Sequence, residues 1–315
     1  MSNRRSRYPE AIGALGAACA LFAVSPSARS QACCAGTGAV TPGRLALHED
    51  ALLGLQTKVG DVVGSFNLAG DYVAPPARAS ELDFEEDLFG AVRFLGRGQV
   101  ALLVPLVETW RASLGQSAFG GGFGDVNVSA RYDFTIAGAS LVVPGVAALA
   151  GLTLPTGKPP DASDVGPLAT GATGIGAAQL NAGLAIENAF GPWLVNATAV
   201  LAVRTARTVG SGESAVHERL APQWTLLSAL AYVFPNDWAA AVSASYAGEA
   251  NATIDGVEAP GTSHGLPTLS LSGVVPLSDA WRLQGALYDN MPIPDVGLNQ
   301  PADAGFSITL IRSWL

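Results

Sequence analysis

Asp125, Asn127, Ser129, Arg131 and Asp133 stand at every second position of one segment, with Val126, Val128, Ala130, Tyr132 and Phe134 around them. Side chains at that spacing alternate across a β-strand, so the segment has one polar face and one apolar face. Carboxylates, an amide, a hydroxyl and a guanidinium on one face can hydrogen-bond water or a solute, and can bond one another. Similar residues lie on later strand-length segments, at Asn181 and Glu187, Asn196 and Arg204, and Arg282 and Gln284. Asp125, Asn127, Arg131, Asp133, Asn181, Glu187, Asn196, Arg204, Arg282 and Gln284 are therefore the candidate lining of a polar interior. They are sparse and of both signs, whereas a strongly ion-selective pore carries a ring of one sign. The expected lining is weakly selective or directed at a solute, unless the same side chains bond one another and close a narrow interior.

Catalytic chemistry finds no comparable pattern. Ser263 and His264 are adjacent, but neighbours on a strand point to opposite faces and cannot form a direct dyad. Three histidines are available, His48, His217 and His264, and His217 falls in a polar stretch beside Glu213 and Glu218. No histidine or cysteine pair has metal-ligand spacing, and Asp161, Asp164 and Asp255 are scattered over loop-like stretches. Gly120-Gly121-Gly122 lacks the Lys-Ser/Thr of a phosphate loop and precedes a strand, so it reads as a flexible loop end. No catalytic residue, metal or cofactor is expected, and a net charge of -9 argues against nucleic acid as a partner.

Twelve segments of alternating hydrophobicity are available to position the polar face: 44–58, 82–95, 99–112, 124–136, 140–155, 176–189, 193–208, 218–234, 238–252, 264–277, 281–291 and 304–315. Most reach the roughly 9 to 11 residues that a tilted strand needs to cross a membrane. Five tight turns, at Gly96-Arg97-Gly98, Ala137-Gly138-Ala139, Phe190-Gly191-Pro192, Pro235-Asn236-Asp237 and Leu277-Ser278-Asp279, alternate with long polar connections over 59–81, 113–123, 156–175, 209–217, 253–263 and 292–303. Short turns at one end, long loops at the other and an even strand count are the pattern of outer-membrane barrels. Trp193, Trp238 and Trp281 follow three of the turns and put rings at one height, as at a membrane interface. The expected fold is all-β, a single antiparallel up-and-down transmembrane β-barrel of about 12 strands.

The start of the chain reads as an export signal over residues 1–32: Arg4, Arg5 and Arg7, an apolar run from Ala11 to Val24, and Ser30-Gln31-Ala32 as the cleavage site. Residues 33–43 then form a short N-terminal periplasmic segment and 44–315 the barrel. Cys33-Cys34 would open the mature chain, free to oxidise, pair with another chain or accept lipid. With 49% hydrophobic and 14% charged residues the chain is apolar, yet no segment after the signal has the roughly 18 uninterrupted apolar residues of a spanning helix.

Two regions fit the pattern less well. Val100–Val107 and Leu141–Ala150 are apolar on both faces and contain Pro105 and Pro144, where proline cannot donate a ladder bond; a locally apolar lumen or a bulge is expected there. Glu85, Glu86 and Asp87 are awkward on a lipid-facing strand and are expected at its outer, loop-proximal end.

Phe123-Gly124-Asp125-Val126-Asn127-Val128-Ser129-Ala130-Arg131-Tyr132, followed by Gly151-Leu152-Thr153-Leu154-Pro155-Thr156-Gly157, resembles the outer-membrane β-barrel family of the MetA pathway of phenol degradation. The resemblance runs over residues 120–315 and departs from the family at Ala172-Thr173-Gly174, where members often carry Gly-Thr-Gly. It implies a transporter-like protein of the Gram-negative outer membrane that assists the passage of small, hydrophobic or aromatic molecules, with membrane lipid and a small-molecule solute as partners. The residues leave a second reading open, a non-transporting barrel whose outer loops, mainly 59–81 and 156–175, bind a partner.

Overall fold

A computed structural model describes residues 44–138, 142–210 and 215–315. The export signal and the 33–43 segment lie outside the described residues. The alternating segments form twelve barrel strands: β1 (Ala51–Phe66), β2 (Ser80–Phe94), β3 (Gly98–Ser113), β4 (Val126–Thr135), β5 (Gly145–Leu154), β6 (Gln179–Phe190), β7 (Trp193–Arg204), β8 (Gln223–Val233), β9 (Ala239–Glu249), β10 (His264–Pro276), β11 (Trp281–Asp289) and β12 (Gln300–Trp314). Each pairs antiparallel with the next, and β12 returns to β1 from Ala51↔Trp314 to Phe66↔Gln300. Closure pairs every stave on both sides and removes the unpaired edges that an open sheet would expose.

Period two decides which side chains meet lipid. In β4 Asn127, Ser129, Arg131 and Asp133 turn inward, while Val128, Tyr132 and Phe134 are exposed. Registered partners carry the apolar face around the outside: Val195, Leu230, Val242, Leu271, Leu287 and Phe306 are cross-strand neighbours in that order. All six are exposed in the isolated chain, and an apolar band of this extent is stable only against lipid. Aromatic rings mark the turn end, where Trp193 packs edge-on to Tyr232 at 4.8 Å and Tyr232 to Phe234 at 4.9 Å. Arg312 lies over the rings of Trp281 and Trp314 at the same end. Toward the loop end Trp224 stacks on Tyr246 at 5.0 Å. Both termini of the barrel lie at the turn end, as an even strand count requires.

Three expectations are corrected. The first strand begins at Ala51, not at residue 44. Leu45 and Leu47 stand two apart as on a strand, yet this stretch lies inside the barrel, with Leu45 and Ala46 buried. The expected long loop 113–123 is a tight hairpin at Leu114-Gly115 followed by a further strand, Gln116–Phe123, that pairs with the outer half of β3. Gly120-Gly121-Gly122 is thus part of a strand and no flexible loop end. β4 takes over pairing with the inner half of β3, and the register slips by one residue at the change. Pro105 sits at that change, where the ladder is already interrupted and a missing N–H costs little. Pro144 precedes β5, so it breaks no ladder; its carbonyl accepts from Thr135 Oγ1 at 2.7 Å.

Glu85, Glu86 and Asp87 are the third correction. They lie in the middle of β2, not at its outer end. The register of β2 with β1 and β3 turns Glu85 and Asp87 into the lumen, and only Glu86 faces outward. Above the barrel, the connections after β7 and β9 carry the short strands Arg207–Val209, Val216–Arg219, Thr253–Ile254 and Val257–Glu258, which join in a small four-stranded outer sheet.

Candidate functional site

The inward row at the turn end is organised by Glu187. Its register on β6 places it beside Asn196 of β7 and Gly145 of β5. Arg44 grips it with both guanidinium nitrogens, at 2.6 and 2.5 Å, Arg131 reaches it at 3.1 Å and Asn196 at 3.0 Å. Arg131 also binds Asp133 at 2.7 Å, and Thr198 donates to Asn196 Oδ1 at 3.1 Å. Arg131, Asp133, Glu187 and Asn196, which the sequence placed on one lining, therefore form one network.

Arg44 belongs to an infolded segment, residues 44–50, that lies across this end of the lumen. Leu45 donates its N–H to Gln99 Oε1 at 3.0 Å, and Arg93 donates Nε to the Glu49 carbonyl at 2.8 Å and Nη2 to the Ala46 carbonyl. Glu49 pairs with Arg282 and accepts the Ala46 N–H at 2.8 Å. Burial pushes the Glu49 carboxyl upward, but Arg282, with the Ala46 N–H and Ser313, outweighs it and holds the group below the usual carboxylate range. Charged and hydrogen-bonded contacts dominate, with Leu45 the apolar exception, packed among Leu52, Phe89, Ala101 and Ile311. Such a segment is held by a countable set of polar bonds, which sequence periodicity had read as the first half of a strand.

Asn181 and Arg204 join a second network toward the loop end. Arg204 Nε donates to Gln179 at 2.7 Å and Nη2 to Gln223 at 2.9 Å, and Nη1 pairs with Glu249. Gln179 bonds Asn181 at 2.8 Å, and His264 Nε2 lies 3.2 Å from Glu249. Asn127 donates to Thr153 Oγ1 at 2.9 Å, within the wall between β4 and β5. Gln284 is buried and registered between Val274 and Thr309.

Asp125 does something different. Its Oδ1 accepts the Gly157 N–H and its Oδ2 the Ile175 N–H, each at 2.8 Å, so it ties together the two ends of the connection between β5 and β6. Thr156 donates to the Gly124 carbonyl at 2.7 Å, and Thr173 to that of Phe123 at 2.7 Å. The Phe123-Gly124-Asp125 and Leu154-Pro155-Thr156-Gly157 motifs are therefore two halves of one knot. From it the connection folds inward. Arg111 Nη1 holds the Leu168 carbonyl at 2.9 Å, and Thr170 is fully buried against Gly120. A Cβ on Gly120 would stand 2.6 Å from Thr170 Oγ1 and 2.9 Å from the Thr170 carbonyl carbon, which explains glycine there.

One group escaped the sequence reading. Glu81, Asp83, Glu85 and Asp87 occupy alternate positions of β2 and all face the lumen. Arg111 pairs with Glu81 at 2.6 Å, Lys58 with Glu85 at 3.4 Å, and Thr109 donates to Asp83 at 2.6 Å. The same period-two count that found the β4 row would have found this one, had the acids not been assigned to a strand end.

No protein-family model and no curated protein matches the chain. Among solved structures, an outer membrane channel from Pseudomonas putida F1 is similar at 15% identity, with 85% of this chain and 97% of that one covered and a TM-score of 0.69. The β domain of the Bordetella autotransporter BrkA (10% identity, 84% and 100% covered, TM-score 0.47) and a Pseudomonas aeruginosa FadL homologue (10%, 93% and 99%, 0.41) are more distant. The first likeness, with the closed register and the apolar outer band, shows the fold: this chain is a twelve-stranded β-barrel of the outer-membrane type.

Proposed function

We propose that this protein is a bacterial outer-membrane channel that passes small, hydrophobic or aromatic molecules. The observation that carries the reading is the way the lumen is obstructed. Ion pairs and hydrogen bonds, with one apolar anchor at Leu45, hold residues 44–50 across the turn end, and Asp125 and Arg111 hold the infolded connection at the loop end. A barrel of about eight strands fills its interior with side chains from its own wall, whereas this wider one is obstructed by infolded segments. Segments anchored by ion pairs and single hydrogen bonds can leave and return.

The P. putida structure bears the description of an outer membrane channel, and the resemblance of the Phe123 and Gly151 motifs points the same way. In this reading residues 1–32 are a cleaved export signal, 33–43 a periplasmic lead-in, and the turns lie on the periplasmic side. Liposome swelling and single-channel recording on refolded protein test it. Solute flux and unitary conductance are expected; a folded barrel that gives neither refutes the channel.

One observation favours a second reading, a barrel whose outer surface binds a partner. The four short outer strands make a structured platform, pinned by Arg207 to Glu218 at 2.7 Å and to the Ile175 carbonyl at 2.6 Å. Removing 206–219 without loss of flux would separate that platform from the channel.

A further inference from the structure

Most charged side chains in the lumen are paired, and Arg93 at the turn end is held by backbone carbonyls, but one strip carries an excess of acids. At the turn end Arg44, Arg131 and Arg282 meet Glu49, Asp133 and Glu187, and toward the loop end Arg204 and His264 meet Glu249. On the wall formed by β12, β1, β2 and β3, five carboxylates, Glu81, Asp83, Glu85, Asp87 and Asp303, meet only Lys58 and Arg111. Those two cations pair with Glu85 and Glu81. Asp83, Asp87 and Asp303 have no ion pair among the described residues.

The register aims them at one region. Asp83 lies beside Gly60 and Thr109, Asp87 beside Gln56 and Pro105, and Asp303 beside Val62, two residues along β1 from Gly60. Asp87 is only 5% exposed, and its Oδ1 has no hydrogen-bond partner in the protein; Asp303 Oδ1 is likewise buried and without one. A buried carboxylate oxygen without a donor is unfavourable until a donor or a cation reaches it. An ionised carboxylate only accepts, so the matching ligand brings N–H donors or positive charge. Among the described residues no three acidic, histidine or cysteine side chains gather closely enough to cage a metal ion, which favours a monovalent ligand. Just toward the turn end from Asp87, Phe89 and Leu103 face each other in the register, where Phe89 is buried in the cluster that includes Leu45 and closes the strip at that end.

We propose that this strip is a cation track in the lumen, which takes an alkali ion or the ammonium end of a small organic solute. It rests on the channel reading for passage, but not for binding. It adds a locally acidic strip to the weakly selective lining expected from the sequence.

The experiment has two arms on refolded, full-barrel protein, with heat-modifiable gel mobility as the check on folding. In planar bilayers under a KCl gradient, K⁺ is expected to permeate about tenfold better than Cl⁻, the order by which a one-sign cleft concentrates its counter-ion. The triple variant Asp83→Asn, Asp87→Asn, Asp303→Asn should bring that ratio close to one. Glu86→Gln removes a charge from the same strand but from the opposite face, and should leave it unchanged. In the second arm, 2-phenylethylammonium chloride is titrated calorimetrically into detergent-solubilised protein, and binding is expected in the parent and lost in the triple variant. Binding without conductance keeps the track and overturns the channel. K⁺ selectivity without amine binding identifies the alkali ion as the ligand. An unselective or anion-preferring conductance with no amine binding overturns the track and keeps the channel.

Discussion

Replacing Glu49 by alanine should release the infolded segment, and the structure sets the size of the effect. Glu49 is 2% exposed; one carboxylate oxygen pairs with Arg282 and the other accepts the Ala46 N–H. The alanine variant removes both bonds and leaves the Arg282 guanidinium covered without its carboxylate for as long as the segment stays in place. Taking one partner from a buried pair costs about 3 to 5 kcal/mol. When the segment leaves, Arg282 meets water, so this cost falls almost wholly on the docked state. Taking the lower figure, at about 1.4 kcal/mol per factor of ten, the released population rises about a hundredfold.

Arg44 supplies the readout. Its guanidinium is held at both nitrogens by Glu187 in the docked state and cannot enter a protease pocket. Cleavage by trypsin after Arg44 then follows the released population when redocking is fast compared with cleavage. In detergent, the barrel fragment beginning at Leu45 should appear about a hundredfold faster from Glu49→Ala than from the parent, followed by intact mass. Equal rates in the two proteins would refute the claim that Glu49 latches the segment.

Acid should act in the same direction. The folded Glu49 carboxyl is held below its usual value, so its contribution is full above pH about 4.5 and is lost as pH falls through the lowered value; trypsin does not work there, and pepsin digestion or hydrogen exchange of residues 44–50 should show the release. Gly120→Val places carbon against the Thr170 backbone and should expel the infolded connection at the loop end, read as faster amide hydrogen exchange over residues 167–173 with the barrel still heat-modifiable. Leu184 lies mid-strand on the outer face, and Leu184→Arg should cost about 2 to 4 kcal/mol in denaturant unfolding from liposomes, the penalty for a cation deep in the lipid band. A neutral result there would place β6 away from lipid.

Much of the barrel was legible in the sequence because its cause is local. A strand shows alternate side chains to opposite faces whatever it pairs with, so Asn127 to Asp133 declared an inward row, and the tight turns before Trp193, Trp238 and Trp281 fixed which end is which. Glycine misled where its reason lay elsewhere: Gly120 is small for the sake of Thr170, fifty residues later in the chain, and its segment was read as a loop. Glu85 and Asp87 were misplaced because their charge suggested a strand end, whereas they sit in the middle of Ser80–Phe94, where the lumen side tolerates acids that the lipid side would not. Asp125 kept its inward-row spacing but is spent on the backbone of a connection that the alternation could not place. Local alternation alone specified the closed antiparallel barrel and the end at which its tight turns gather. The contents of the lumen follow only from the folded chain, because those contacts join Arg44 to Glu187 and Glu49 to Arg282 over 143 and 233 residues, where no periodicity reaches.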